Sequence, residues 1–382
     1  MDSKLSEKEK IEVDNLQSVY QLCFNIPKIE LHAHIGGWLR PNTFLELADA
    51  KGINVDHIDF YNITLKSAFD IFSIVGKVVI NLDVLRRVVT EIIEDYSKSN
   101  TRYLELRTSP KAFKNSTKTE YLDTVLSVFE ECESLYPHII VRLVLSINRS
   151  TTMESNIECF ELAKEFIVER KSKYVVGIEF SGEPNTNSFE DYTEQIFEPA
   201  KELGIKISIH TAEIKEHHAE TASIFDFKPD RLGHWWYLNQ EELDIVCEKQ
   251  IPVEVCPSSN RATMGLSGIY ELENVKSLYQ KGNLLCILVL FTLNMYIGCT
   301  IIPCWDDTML FNTNAINETF ELVNLLGLSE LDLKTMMIKA TDAIFDESVK
   351  QSVKSDIESI TVRGEVKEEA KQTEEDEKVD QD

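Results

Sequence analysis

Positive charge is what this chain lacks most. It carries 39 Lys and Arg against 65 Asp and Glu, a formal net charge of −26 over 382 residues. At long range such a chain repels nucleic acid and anionic membrane, so neither is expected as a partner. A small anion is still admissible where a few Arg and Lys gather locally. The eight cysteines form no CxxC pair and no short-spaced framework, which leaves reduced, cytosolic thiols as their natural state. The N-terminal stretch MDSKLSEKEKIEVD has no apolar core of the signal-peptide kind, and a cytoplasmic protein is expected. No repeat of fixed period runs along the chain, which removes repeat architectures. Apolar residues nearly vanish after Lys354, so residues 351–382 are expected to be an acidic disordered tail. Residues 1–25 are expected as a helical or flexible extension, and 26–350 as one domain.

Against this charged background stands a run without charge. Residues 284–302, LLCILVLFTLNMYIGCTII, would qualify by length as a membrane span. Asn294 near its middle would be costly in lipid.

Eight shorter apolar or β-branched runs occupy 28–34, 102–108, 139–147, 174–181, 206–211, 231–235, 252–256 and 301–305. The intervals carry helical spacing, for example Leu122, Val125, Leu126, Phe129 and Cys132. Further helices are expected at 157–168, 190–203 and 238–249, with 44–51 and 82–98 filling the long first interval. Strands alternating with helices predict parallel βαβ units. Eight such units predict a closed (β/α)8 TIM barrel with extra helices between strands 1 and 2, an open doubly wound sheet being the alternative. The runs end in HAH, RTSP, INRS, SGEP, HTAE, GH, CPSSN and WDD. Chemistry-bearing residues at the C-terminal ends of strands are what a barrel active site is made of.

The first run ends His32-Ala33-His34. Residues two apart on a strand face the same way, so both imidazoles can reach one metal ion, although two structural histidines would read the same. Neutral imidazole suits zinc. His210, ending the fifth run, offers a third nitrogen. Glu213, three residues on, can carry a proton between water and a leaving group. His234 ends the sixth run. In Asp306-Asp307 adjacent carboxylates face opposite ways, so one can bind metal while the other meets substrate.

KIELHAH, YLELR, SGEP, SIHTAE, GH and DDTMLFNT together resemble the adenosine deaminase family of metal-dependent hydrolases, from about Ile26 to Phe345. The wording of KIELHAH, YLELRTSPK and DDTMLFNTN is most similar to its adenosine deaminase-like subgroup. The resemblance implies one zinc ion per chain, held by His32, His34, His210 and Asp306. It implies that Glu213 relays protons, that His234 orients the attacking water, and that Asp307 bonds purine N7. The backbone of Gly182 would approach the base edge. The implied reaction is the hydrolysis of N6-methyl-AMP to IMP and methylamine by a monomeric enzyme. A 5′-phosphate needs hydroxyls and cations, which Thr108, Ser109 and Lys111 after strand two, and Asn148, Arg149 and Ser150 after strand three, would supply.

Several positions depart from the family pattern. After HAH the family generally has Asp or Asn, then Gly and a small residue; here Ile35 is followed by Gly36, Gly37 and Trp38. Trp235 and Trp236 replace the Gly after His234. Phe72-Ser73-Ile74-Val75-Gly76 lacks a His that the subgroup places there. Cys304-Trp305 replaces the residues before Asp306, and Pro303 interrupts the last strand. The apolar stretch 284–300 is an addition. A membrane span there would separate Asp306 from His210, and a hydrophobic loop would be sticky, so translated intron sequence is the preferred account. Free adenosine is the alternative substrate, and a two-metal phosphoesterase the more distant one. A barrel that only binds purine nucleotide is the non-enzymic alternative, raised by Trp38, Trp235 and Trp305.

Overall fold

All eight runs form strands. A computed structural model describes residues 17–362 except 61, 216–217, 235, 238, 269–270, 272, 274, 278, 281–299 and 312. The strands are β1 (Lys28–His34), β2 (Thr101–Thr108), β3 (Ile140–Asn148), β4 (Val175–Ser181), β5 (Lys206–Thr211), β6 (Arg231–His234), β7 (Val253–Val255) and β8 (Ile301–Pro303). They pair in sequence order, each parallel to the next. The result is a nearly closed (β/α)8 barrel with flanking helices. Among the described residues no ladder pair joins β8 back to β1, although β8 lies against β1.

The expected extra helices between β1 and β2 are Pro41–Ala50, Leu65–Val78 and Leu82–Lys98. The second starts at a capping box in which Thr64 and Ser67 satisfy each other's backbone N–H groups. The third buries Leu85, Val88, Val89, Ile92, Ile93 and Tyr96, the 3–4 spacing of a stripe facing the core. The helix expected at 157–168 begins earlier, at Met153, and widens into a π-turn at Glu165–Glu169. The one expected at 190–203 is likewise interrupted by a π-turn, Thr193–Phe197.

The expected tail boundary needs correction. Lys350–Glu358 is a helix that buries Val353 and Ile357, so the ordered domain runs past 350. Two apolar residues a helical turn apart suffice to dock a short amphipathic helix, which composition alone underweights. Residues 363–382 and most of the added apolar stretch lie outside the described residues. No helix among the described residues is long and apolar enough to cross a membrane.

Inside the barrel the side chains are ionic where aliphatic layers are usual. Glu105, Arg107, Glu179, Arg231 and Glu254 are all fully buried. Arg107 lies 2.6 Å from both Glu179 Oε2 and Glu254 Oε1 and donates to the Leu31 carbonyl. Arg231 pairs with Glu105 and Glu254. Such charges are tolerable because each has an opposite partner. Replacing Arg107 with Leu should therefore destabilise the fold by about 3–5 kcal/mol, since buried Glu179 loses its arginine partner and Glu254 keeps only Arg231. Urea unfolding at neutral pH measures this; a loss below about 1 kcal/mol would contradict the assigned role.

Candidate active site

The C-terminal strand ends bring four imidazoles together. His32 and His34 end β1, His210 lies on β5 and His234 ends β6. The His32 ring centroid is 5.1 Å from that of His34, and 4.6 Å from those of His210 and His234. One ligand atom from each of His32, His34 and His210 lies within 4.8 Å of the others; the same holds for His32, His234, Cys256 and Asp306. Asp306 Oδ1 is 3.8 Å from His32 Nε2, and its Oδ2 is 3.9 Å from His234 Nε2.

Three of these imidazoles, His32, His210 and His234, are held neutral. Burial, then the neighbouring Arg107 and His side chains, pushes His32 well below the ordinary range. Burial and the adjacent His234 and His34 do the same to His210. His234 is lowered to about 4, chiefly by burial, with Asp306 opposing the shift. Neutral imidazole is the form that ligates. Beneath the cluster, His32 Nδ1 lies 2.6 Å from Glu254 Oε2. The tautomer that donates this proton leaves the Nε2 lone pair for a metal. Glu179 approaches His34 Nδ1 at 3.5 Å and His210 Nδ1 at 3.7 Å. Among the described residues His210 Nδ1 and His234 Nδ1 are buried without a hydrogen-bond partner. Convergent imidazoles, a carboxylate and carboxylates behind the rings fit a divalent metal.

Two carboxyls beside the cluster keep their protons. Glu213 is buried and pushed up to about 8, by burial first and then by the charges of Asp306 and Glu220, while Arg149 opposes. Its Oε1 stands 3.9 Å from His234 Nε2. Asp307 is raised well above the usual carboxylate range by burial and by Asp306. Its Oδ1 is buried and unpartnered. Gly37 makes room for it: a Cβ at that position would lie 1.6 Å from Asp307 Oδ1.

A cavity of about 440 Å³ opens onto these groups, and its lining includes His34, Thr108, Ser109, Lys111, Asn148, Gly182, His210, Glu213, His234, Asp306 and Asp307. Gly182 has φ +108°, and a Cβ there would lie 2.4 Å from Asn148 Oδ1, so no side chain fits. Thr108 Oγ1 hydrogen-bonds Tyr121 OH at 2.7 Å, and Ser109 donates to the Ser146 carbonyl. Among the described residues Lys111 has no hydrogen-bond or ion-pair partner, and burial lowers its pKa.

Arg149 corrects the expectation for the phosphate. It is not part of the cavity lining. Its guanidinium pairs with Glu220, donates to the Asn187 carbonyl and lies over the Phe180 ring at 4.7 Å. A buried Arg already committed to a carboxylate cannot also receive a substrate anion without stranding that carboxylate. The tryptophans also differ from expectation. Trp38 and Trp305 are buried away from the cavity. Trp235 lies outside the described residues. Trp236 does line the cavity: its ring packs 4.7 Å from that of His234, and its indole N–H donates to Asn260.

Glu179, Glu254 and Cys256 belong to the site and were not foreseen. A Glu inside the apolar PVEVC or VGIEFS is the signal that marks the first two: a carboxylate in a buried strand implies a partner across the interior.

The model of the family described as adenosine deaminase matches residues 27–360. A protein of Arabidopsis thaliana described as N6-mAMP deaminase is 31% identical over 362 residues, covering 86% of this chain and 96% of its own length. The crystal structure of the Arabidopsis N6-mAMP deaminase is 30% identical with a TM-score of 0.78, covering 89% of this chain and all of that one. A second Arabidopsis structure, complexed with IMP, gives a TM-score of 0.77 at 30% identity and covers 90% and 98% of the two chains.

The Glu213 carboxyl has a stability consequence. With a folded pKa near 8 against 4.5 for the free group, its contribution is fully present below pH 4.5 and lost as pH rises through 8. Glu213→Gln should raise the melting temperature of the chelator-treated protein by about 2 °C or more at pH 8 and by less at pH 5. Scanning calorimetry at both pH values checks this, and a larger gain at pH 5 would refute the assignment.

Proposed function

The chain belongs to the adenosine deaminase family, and from that premise we propose that it is a zinc-dependent purine aminohydrolase that converts N6-methyl-AMP to IMP and methylamine. The observation that carries the proposal is the meeting, in one cavity, of a histidine cluster, a proton-holding Glu213 and a lysine without a carboxylate partner. Relatives described as N6-mAMP deaminase and a relative complexed with IMP support the nucleotide over the nucleoside.

In this reading His32, His34, His210 and Asp306 hold the zinc ion. Zinc bound there would supply Lewis acidity, which makes water nucleophilic near neutral pH. Glu213 and His234 orient that water from the same side of the cavity. Glu213 is suited to proton transfer because its pKa lies near the working pH. Water adds to C6 while purine N1 gains a proton through Glu213. The C6–N bond then breaks, the departing methylamine takes a proton, and a C6 carbonyl remains. Asp307 retains its own proton, so it can donate to N7, which only accepts. Lys111 meets the 5′-phosphate, with Thr108, Ser109 and Asn148 beside it. A lysine at the cavity wall without a carboxylate partner among the described residues is suited to an anionic ligand. The acidic balance and the buried free cysteines favour a cytoplasmic monomer.

Amine release from N6-methyl-AMP, AMP and adenosine tests the proposal. Turnover should be highest on N6-methyl-AMP, cease with chelator and return with zinc. Failure on all three purines with zinc loaded would defeat the enzymic reading. Lys111→Met should lower kcat/KM on the nucleotide by about 10–100-fold and on adenosine by less than about threefold. Equal losses on both would remove Lys111 from the phosphate site.

A further inference from the structure

We propose that Trp38 is a positioning residue for Asp306, its indole N–H latching the backbone of that residue across the seam between β1 and β8. The proposal rests on the ligand set given above.

The seam is where the barrel has least to hold it. Backbone groups on a parallel strand alternate between its two neighbours. Val253 N–H donates to the Thr300 carbonyl, and Cys304 N–H to the Val255 carbonyl. Thr300, Ile302 and Cys304 therefore face β7, and residues 301, 303 and 305 face β1. Residue 303 is proline and has no N–H to offer. Trp305 N–H is met by a side chain, Glu30 Oε2, at 2.8 Å. Glu30 Oε1 accepts from His32 N–H, so one carboxylate ties both strands. Two metal-ligand residues, His32 and Asp306, thus sit on opposite sides of a seam bridged by side chains.

Asp306 needs more than that bridge. Its φ is +51°, a left-handed conformation that residues other than glycine rarely hold and that persists only when the surroundings impose it. The turn aims its carboxylate at His32 and His234. Glu30 fixes the residue before it. On Asp306 itself the contact is Trp38 Nε1, which donates to its carbonyl at 2.7 Å. Trp38 follows the short 3-10 turn Ile35–Gly37 that leaves β1. Its ring is buried and packs on Tyr96 with centroids 4.2 Å apart; Tyr96 in turn packs toward Trp305 at 6.0 Å. The indole is therefore rigidly seated, and its N–H has a single direction. The bulky residue that departs from the family pattern braces the ligand from behind and leaves the cavity open.

The test separates the N–H from the ring. In the full-length chain, Trp38 is replaced by the isosteric benzothienyl analogue, which keeps the packing and lacks the donor, and in parallel by Trp38→Phe. Zinc affinity is measured by competition with a chromogenic chelator, alongside the melting temperature of the chelated protein and KM for N6-methyl-AMP. The proposal expects the zinc dissociation constant of the isostere to rise about tenfold or more. Chelated melting temperature should move by less than about 3 °C, and KM by less than about twofold. Should Trp38→Phe fail to fold, the isostere alone decides. Zinc bound by the isostere as tightly as by the wild type would overturn the latch while leaving the ligand set standing. A parallel loss of affinity and chelated stability would reduce Trp38 to packing and overturn it too. A wild-type chain that binds no zinc would overturn the ligand set and the latch together.

Discussion

The Glu254 carboxylate is the point on which the site depends. One oxygen faces Arg107 and Arg231; the other meets His32 Nδ1. That sharing couples the barrel's ionic interior to the orientation of a ring in the histidine cluster. A carboxylate this deep survives only among opposite charges, and the two arginines supply them. Its hydrogen bond then selects the His32 tautomer. Glu179 repeats the arrangement: it pairs with Arg107 and stands behind His34 and His210. The interior is thus spent on holding imidazoles. Stability comes mainly from the outer layer, where helices such as Leu82–Lys98 bury aliphatic stripes against the strands.

Some of the backbone strain lies beside the cavity. Ala212, His234 and Asp306 all have positive φ without being glycine, and all three follow or end strands that open onto the cavity. The side chains of two of them, His234 and Asp306, line the cavity. Each such residue costs on the order of 1–3 kcal/mol and needs neighbours that over-determine it. For Asp306 those neighbours come from β1 and the turn after it. The contacts that bridge the β1–β8 seam are made at Trp305 and Asp306.

Electrostatics divide the molecule by scale. The whole chain is strongly acidic, and the cavity itself contains Asp306, Asp307 and Glu213. Burial answers part of this by keeping Glu213 and Asp307 protonated, which makes them donors at neutral pH. A divalent cation among the imidazoles would offset more. Of the two candidate cations, Arg149 is committed to Glu220, and Lys111 is the one on the cavity wall.

Local pattern determined the elements of this protein. Eight apolar runs became eight strands because β-branched runs bounded by polar ends have one cheap way to be buried, and alternation with helical stripes left parallel pairing as the consequence. His32, His34, His210, Glu213, His234, Asp306 and Asp307 were legible for the same reason: polar groups ending buried strands must converge at the C-terminal face of a barrel. The helix Lys350–Glu358 was not, because two buried apolar residues in a charged stretch carry almost no compositional signal. Arg149 and Lys111 were equivalent as residue types in loops that share a face. Which of them keeps an open charge was decided only when residue 220 came within reach of residue 149. Trp38 is the sharpest case. In the sequence it is bulk beside the histidine pair; in the fold its indole N–H donates to the Asp306 carbonyl. Long-range partners, some separated by 268 positions, exist only after the barrel closes, and hydrogen bonds between such partners cannot be read from either segment alone.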